Sequence, residues 1–115
     1  MTITPDEALL FRYSAITDNP HRIHYDKAYA TQAEGYPALV VNGSIPAMFL
    51  LELFRTAADR EPAAFTSRNV APMFCGKPLQ LKVQQEDLIE GTKGKSWRLW
   101  AEDDSGNTTF DAHAE

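Results

Sequence analysis

The sequence lacks most of the features that would assign it to a specialised class of protein. Its single cysteine, Cys75, excludes an internal disulfide and a cysteine-rich zinc site. It has no run of about 18 apolar residues that would predict a membrane span, and its acidic N-terminus does not resemble a signal peptide. The net charge of -5 argues against binding to nucleic acid, because proteins that bind nucleic acid usually carry a basic face. We therefore expect a soluble, cytoplasmic protein with no nucleic-acid or membrane partner.

The composition fits one globular domain. With 115 residues, of which 43% are apolar and 23% are charged, the chain is large enough for one hydrophobic core. The sequence contains no internal repeat, low-complexity tract or linker. We therefore predict a single domain over residues 1–115.

Capping signals predict two helices in the first third of the chain. Thr4 can cap a helix, and the glutamate three residues later completes a capping box, which predicts a helix through about residue 16. Asp26 can cap a second, shorter helix over 27–33, and Gly35 is a natural terminator for it.

A third helix is predicted over residues 44–59, where almost every position is apolar. Its polar positions form one narrow stripe: Glu52, Arg55, Thr56 and Asp59. A helix with so little polar surface is expected to be mostly enclosed by other structure. Its length would be about 24 Å at 1.5 Å per residue, enough to cross a small sheet.

After this helix the apolar residues alternate with polar ones, which is typical of half-buried strands. The alternation covers 79–84, 97–101 and 109–114, and a fourth strand is predicted over 65–74. The turn-forming residues at 103–107 predict a hairpin between the last two strands. A buried helix followed by an antiparallel sheet indicates an α+β domain.

Most of the side chains that could perform chemistry lie between residues 19 and 43. Two of the three histidines, His21 and His24, are in this segment, immediately before the long helix. An imidazole can exchange protons near neutral pH. Their spacing also permits a metal site, but no third ligand follows a recognisable pattern, so we predict none.

Four stretches of the sequence carry a family resemblance: LFRYSA at 10–15, HRIHYD at 21–26, EGYPALVV at 34–41 and RNVAPMF at 68–74. Together they resemble the MaoC-like hydratase/dehydratase superfamily, and more narrowly the type 2 hydroxyacyl-thioester dehydratases, which include mesaconyl-CoA-type hydratases. The resemblance implies a hotdog fold, in which a curled antiparallel sheet wraps around the long helix. It also implies addition of water to an enoyl thioester, or its removal from a 3-hydroxyacyl thioester, without a cofactor.

The family motif places an amide or carboxylate five residues before a histidine, which assigns these roles to Asn19 and His24. His24 would be the base, and the Asn19 amide would hold the attacking water through one donor and one acceptor. Gly43 begins the long helix, where unpaired N–H groups favour negative charge, so its N–H is the predicted oxyanion donor. Each of these residues also has a structural explanation: a tie to the Asp26 cap for His24, a helix end before Pro20 for Asn19, and a helix cap for Gly43.

Five other residues are secondary candidates. Asp18, His21 and Asn42 lie beside the predicted site, and Arg22 and Arg68 could meet the phosphates of coenzyme A or of an acyl-carrier arm.

The resemblance also implies pairing of two hotdog units, because many dehydratases of this group carry two in one chain. With one unit here, we expect a homodimer, with a heterodimer as the alternative. Asn42 stands where the family usually has a histidine, and together with Asn19 it favours a second hypothesis, a non-catalytic acyl-binding or partner subunit. A hotdog thioesterase, or a pathway-specific lyase or isomerase, is a third.

Overall fold

The computed structural model describes residues 1–86 and 96–115, and within them a five-stranded antiparallel sheet carries a helix across one face. The sheet has the strand order β1-β3-β4-β5-β2. The strands are β1 (Thr2–Ile3), β2 (Phe65–Asn69), β3 (Leu79–Glu86), β4 (Ser96–Glu102) and β5 (Thr108–Ala114). The helices are α1 (Glu7–Ile16) and α2 (Ser44–Ala58), with a 3-10 turn at Arg22–His24 and a π-helical turn at Tyr29–Ala33 between them. The predicted α+β class is confirmed.

Helix α1 forms where it was predicted, but its cap is a different residue. The side chain of Asp6 accepts a hydrogen bond of 2.7 Å from the Leu9 N–H, which makes Asp6 the N-cap. The prediction that Thr4 caps this helix was therefore wrong. The extended backbone of Asp6 aims its carboxylate at the first turn, where the helix dipole also favours a negative charge.

The second predicted helix is short and ends in a π-helical turn. Asp26 caps it as predicted, because its carboxylate accepts from the Tyr29 N–H at 3.1 Å. Gly35 follows with φ of +76°, a left-handed conformation that glycine adopts without strain.

Helix α2 spans Ser44–Ala58, between Gly43 as its N-cap and the left-handed Asp59 as its C-cap. Its fully buried residues lie on one side: Ile45, Pro46, Leu50 and Phe54. The opposite side is less enclosed than the sequence predicted, since the Met48 side chain is 47% exposed. In the described part of the chain, therefore, the sheet covers one face of α2 and leaves apolar surface on the other.

The hairpin between β4 and β5 confirms the predicted turn. Asp103 accepts hydrogen bonds from the N–H groups of Ser105 and Asn107, both at 2.9 Å. Gly106 supplies the left-handed residue, with φ of +82°.

Strand β2 is shorter than predicted, because it ends at Asn69 and not near residue 74. The N–H groups of Val70 and Ala71 both donate to the same carbonyl, that of Thr109, at 2.9 and 3.1 Å. Consecutive N–H groups in a strand point in opposite directions, so this double contact turns the chain out of the sheet. Pro72, which has no N–H, cannot resume the ladder.

The core lies between α2 and the inner face of the sheet. It contains Leu50, Phe54, Leu81, Leu99, Ala101, Phe110, Ala112 and Ala114. A second cluster joins α1 and the segment before α2 to one end of the sheet: Leu10, Ala30, Leu39, Val41, Ile45, Met73 and Leu79. No helix within residues 1–86 and 96–115 has the length and apolar character needed to cross a bilayer.

Candidate active site

His24 ends the 3-10 turn and is held by a backbone carbonyl. Its side chain is only 8% exposed, and its Nδ1 lies 2.7 Å from the carbonyl oxygen of Val40. A carbonyl can only accept, so this contact places the proton on Nδ1. Nε2 then keeps its lone pair, as a general base requires.

The Val40 carbonyl is itself fixed by the segments on either side of it. The Val40 N–H donates to Ile23 at 2.9 Å, and the Val41 N–H donates to Met73 at 2.7 Å. The Cys75 N–H completes the ladder by donating to Leu39 at 2.9 Å. His24 is thus held through a short backbone ladder and not through the Asp26 cap.

Gly43 lies in close contact with a residue to which the sequence assigned no role. A Cβ atom at Gly43 would be 2.6 Å from Oδ1 and 2.8 Å from Nδ2 of Asn69. The glycine therefore permits the amide to pack against the start of α2. Asn69 falls in the stretch at 68–74 that carried the resemblance, but no sequence signal shows that the end of β2 meets the start of α2.

His24, Gly43 and Asn69 share one cleft of about 360 Å³. Its lining consists of His24, Tyr36, Val40, Val41, Gly43, Asn69, Val70, Ala71, Pro72 and Met73. The size and the mostly apolar wall, with a few polar groups, are typical of a small-molecule site.

Asn19 and Asp18 line a separate depression of about 210 Å³, and they are not in the cleft that holds His24. The Asn19 side chain accepts from the His21 N–H at 3.1 Å and so shapes the turn that leads to His24. Asp18 is exposed, with φ of +54°. The water-holding role of Asn19 stays a prediction.

Two other candidates lie close in the chain to the residues of the cleft: His21 precedes His24 by three positions, and Asn42 precedes Gly43 directly. The exposed His21 ring is 5.7 Å from the His24 ring, centroid to centroid, and its Nδ1 accepts from the Ile23 N–H at 3.4 Å. Asn42 is 2% exposed, and its Nδ2 donates to the Ser14 hydroxyl at 3.2 Å. Within residues 1–86 and 96–115, no hydrogen-bond partner reaches Asn42 Oδ1.

The two arginines proposed for substrate phosphates lie outside the cleft. Arg22 pairs with Asp26 at 2.9 Å and stacks 4.2 Å above the Tyr29 ring. The pKa of Asp26 is lowered, mainly by the hydrogen bond from the Tyr29 N–H and next by the hydrogen bond from Arg22.

Arg68 lies 3.9 Å from Asp111 and lines a separate depression on the sheet with Thr66, Ser67, Asp111 and His113. The phosphate-binding roles of both arginines stay predictions. Among the side chains that the structure describes, no group of three or more metal-ligating residues occurs.

Residues 1–75 match the sequence profile of the family described as hydroxyacyl-thioester dehydratase type 2. This match covers more than half of the chain and includes the whole cleft lining. The chain belongs to this family. The resemblance drawn from the four sequence stretches is thereby confirmed.

A curated relative shows the same kinship over most of the chain. Mesaconyl-C(4)-CoA hydratase of Chloroflexus aurantiacus is 50% identical over 80 residues, which make up 70% of this chain. The chain spans 29% of the length of that relative.

Solved structures agree with the fold. R-hydratase PhaJ1 from Pseudomonas aeruginosa superposes with a TM-score of 0.85 at 16% identity, over 99% of this chain and 74% of the other. The ChsH1-ChsH2 complex from Mycobacterium tuberculosis contains a chain that matches with a TM-score of 0.76 at 13% identity, over 99% of this chain and 88% of that one. The predicted hotdog fold is confirmed.

Proposed function

We propose that the chain is a hydro-lyase that hydrates an enoyl thioester or dehydrates a 3-hydroxyacyl thioester. The observation that carries this proposal is the His24 tautomer set by the Val40 carbonyl, in a largely apolar cleft that also contains the start of α2. A base in an apolar cleft beside the N-terminus of a helix suits a reaction that forms an enolate-like oxygen.

In the hydration direction, His24 Nε2 takes a proton from water as the water oxygen bonds to C3. The electron pair of the double bond moves toward the thioester carbonyl, whose oxygen gains negative charge beside the Gly43 N–H. The imidazolium then returns its proton to C2, which completes the addition of one water. Dehydration follows the same steps in reverse.

Asn19 has a less direct place in this proposal, because it lines a depression separate from the His24 cleft. A water-holding role predicts that Asn19→Asp retains some turnover while Asn19→Ala loses it. If Asn19 only shapes the turn before His24, Asn19→Asp keeps the acceptor for the His21 N–H, whereas Asn19→Ala lowers turnover and thermal stability together. A loss of turnover in Asn19→Ala at unchanged thermal stability would favour the water-holding role.

The thioester substrate is proposed to carry coenzyme A or an acyl-carrier arm, and the mostly apolar wall of the cleft suits an acyl chain. We place the reaction in cytoplasmic acyl-thioester metabolism, including that of fatty acids. Arg22 and Arg68 are the proposed contacts for the carrier phosphates, although each would have to leave its carboxylate partner.

Mass spectrometry with a panel of enoyl and hydroxyacyl thioesters tests the reaction. Gain or loss of one water supports a hydro-lyase. Release of a free thiol would identify a thioesterase instead, and unchanged mass with every substrate would contradict the proposal. An isomerase would show an altered retention time at constant mass.

We also propose that the chain pairs with a second hotdog subunit. A homodimer is the form we expect, and a heterodimer is the alternative. The outer side of α2 leaves Met48 exposed beside Leu51, and β2 pairs with β5 on one side only within the described residues. Light scattering of the purified chain tests the homodimer. A monomer that becomes active only with a related hotdog subunit would favour the heterodimer, and a complex in which only that subunit turns over substrate would favour a non-catalytic role.

A further inference from the structure

Asn69 combines two features that no other side-chain amide in the described chain combines: it lines the His24 cleft and it contacts the start of α2. Both ends of its amide approach Gly43, with Oδ1 and Nδ2 at 2.6 and 2.8 Å from the position of a Gly43 Cβ. Either orientation of the amide therefore brings its NH₂ group near the first turn of the helix.

The sheet holds the backbone of Asn69 in place. Asn69 is the last residue of β2 and pairs with Phe110. The next two residues are tied down by their N–H bonds to the carbonyl of Thr109. Thr109 is buried, and its hydroxyl donates to the Ala101 carbonyl at 3.3 Å. The backbone that carries the amide is thus braced, and the exposed amide lines the cleft beside Gly43. A fixed attachment point is one part of the preorganisation that charge stabilisation requires.

We propose that Asn69 is a catalytic residue that donates a second hydrogen bond to the thioester carbonyl oxygen, together with the Gly43 N–H. This inference rests on the proposed function. An atom that gains negative charge at the start of α2 is favoured by N–H donors from both sides. The Asn69 NH₂ group supplies such a donor, whereas a carboxylate at the same position would repel the charge.

Replacement of Asn69 by aspartate tests the donor while keeping the shape of the side chain. Loss of one oxyanion donor typically costs about 100-fold or more in kcat, so we expect Asn69→Ala to lower kcat/KM by about 100-fold. Asn69→Asp should lower it further, although it packs against Gly43 as the native side chain does. Asn107→Asp is the matched control, because it makes the same chemical change in the exposed β4–β5 turn.

A second measurement does not depend on turnover. Butyryl-CoA has no double bond to hydrate, and its isotopically labelled carbonyl can be followed by infrared spectroscopy when it is bound. Donation from Asn69 predicts a lower carbonyl stretching frequency in the wild type than in Asn69→Asp.

The outcomes separate this inference from the hydro-lyase proposal. Wild-type hydration with unchanged kcat/KM and carbonyl frequency in Asn69→Asp would overturn the inference alone. An Asn69-dependent carbonyl shift without hydration would support the hydrogen bond from Asn69 to the thioester carbonyl and overturn the hydro-lyase, and with it the catalytic role of that bond in hydration. A wild-type chain that neither hydrates thioesters nor binds butyryl-CoA would overturn both.

Discussion

Addition of one methyl group at Gly43 should impair activity while leaving the fold intact. The Cβ of Gly43→Ala would be 2.6 Å from Asn69 Oδ1, whereas ordinary contacts begin at 3.4 Å. The amide must therefore retreat by about 0.8 Å, the difference between these distances. A misplacement of about 1 Å in a site can cost about 100-fold in rate, so we expect kcat/KM to fall between about 10-fold and 100-fold.

The effect of Gly43→Ala on stability should be small for two opposing reasons. Gly43 has φ of -60° and ψ of -25°, which alanine adopts readily, and such a replacement gains about 0.4–1 kcal/mol through the unfolded chain. A forced rotation of the exposed Asn69 side chain costs about 0.5–1.5 kcal/mol. The free energy of unfolding should therefore change by less than about 1 kcal/mol.

Two further variants make this test specific. Gly106→Ala is the control, because Gly106 lies in the β4–β5 turn, outside the cleft lining, with φ of +82°. This variant should lower the unfolding free energy by about 1–2 kcal/mol and leave kcat/KM unchanged. In the double variant of Gly43→Ala with Asn69→Ala, the new Cβ meets no amide, so its activity should equal that of Asn69→Ala alone. Urea unfolding and steady-state kinetics provide both readouts. Multiplicative losses in the double variant, or full activity in Gly43→Ala, would refute the reasoning.

Two further predictions concern the fold. Phe54 is fully buried and packs edge-on against Trp97, so Phe54→Ala should lower the unfolding free energy by about 3–5 kcal/mol in urea titrations, and a loss below about 1 kcal/mol would contradict the described core. Hydrogen bonds from Trp100, and then from Lys82, hold the pKa of Glu102 below its ordinary 4.5. Its stabilising contribution is therefore present above that value and is lost as the pH falls through the lower folded pKa. The difference in unfolding free energy between wild type and Glu102→Gln should shrink on acidification, and a constant difference would exclude this cause.

The sequence predicted the strands and the turn whose residue patterns depend only on local surroundings. Alternation along 79–84 and 97–101 reflects one buried face, and the glycine and aspartates of 103–107 specify a turn by their own backbone preferences. Errors arose where two signals competed. Thr4 and Asp6 can both cap a helix, and only the fold selects Asp6. The apolar stretch of 70–74 suits a strand, but the Thr109 carbonyl takes two of its N–H groups and ends the ladder.

The site was predicted as a list of residues more readily than as an arrangement. His24 and Gly43 share a cleft, but Asn19 and Arg68 line other depressions. The spacing of two residues along a chain does not determine to which side of a turn each side chain points. The position of Asn19 could therefore not be predicted from its separation in sequence from His24. The contact of Asn69 with Gly43 is long-range and depends on the end of an edge strand, which no local pattern records.

The most direct test of the account compares two histidine variants in the hydration of one enoyl thioester that the wild type accepts. His24→Ala removes the buried imidazole held by Val40, whereas His113→Ala removes a half-exposed imidazole on strand β5. General-base catalysis contributes about 100- to 10,000-fold. We therefore predict a loss of that size in kcat for His24→Ala and an unchanged kcat for His113→Ala, because the depression that His113 shares with Arg68 is proposed to bind carrier phosphates and not the reacting atoms. Equal rates in the two variants would contradict the assignment of His24 as the base.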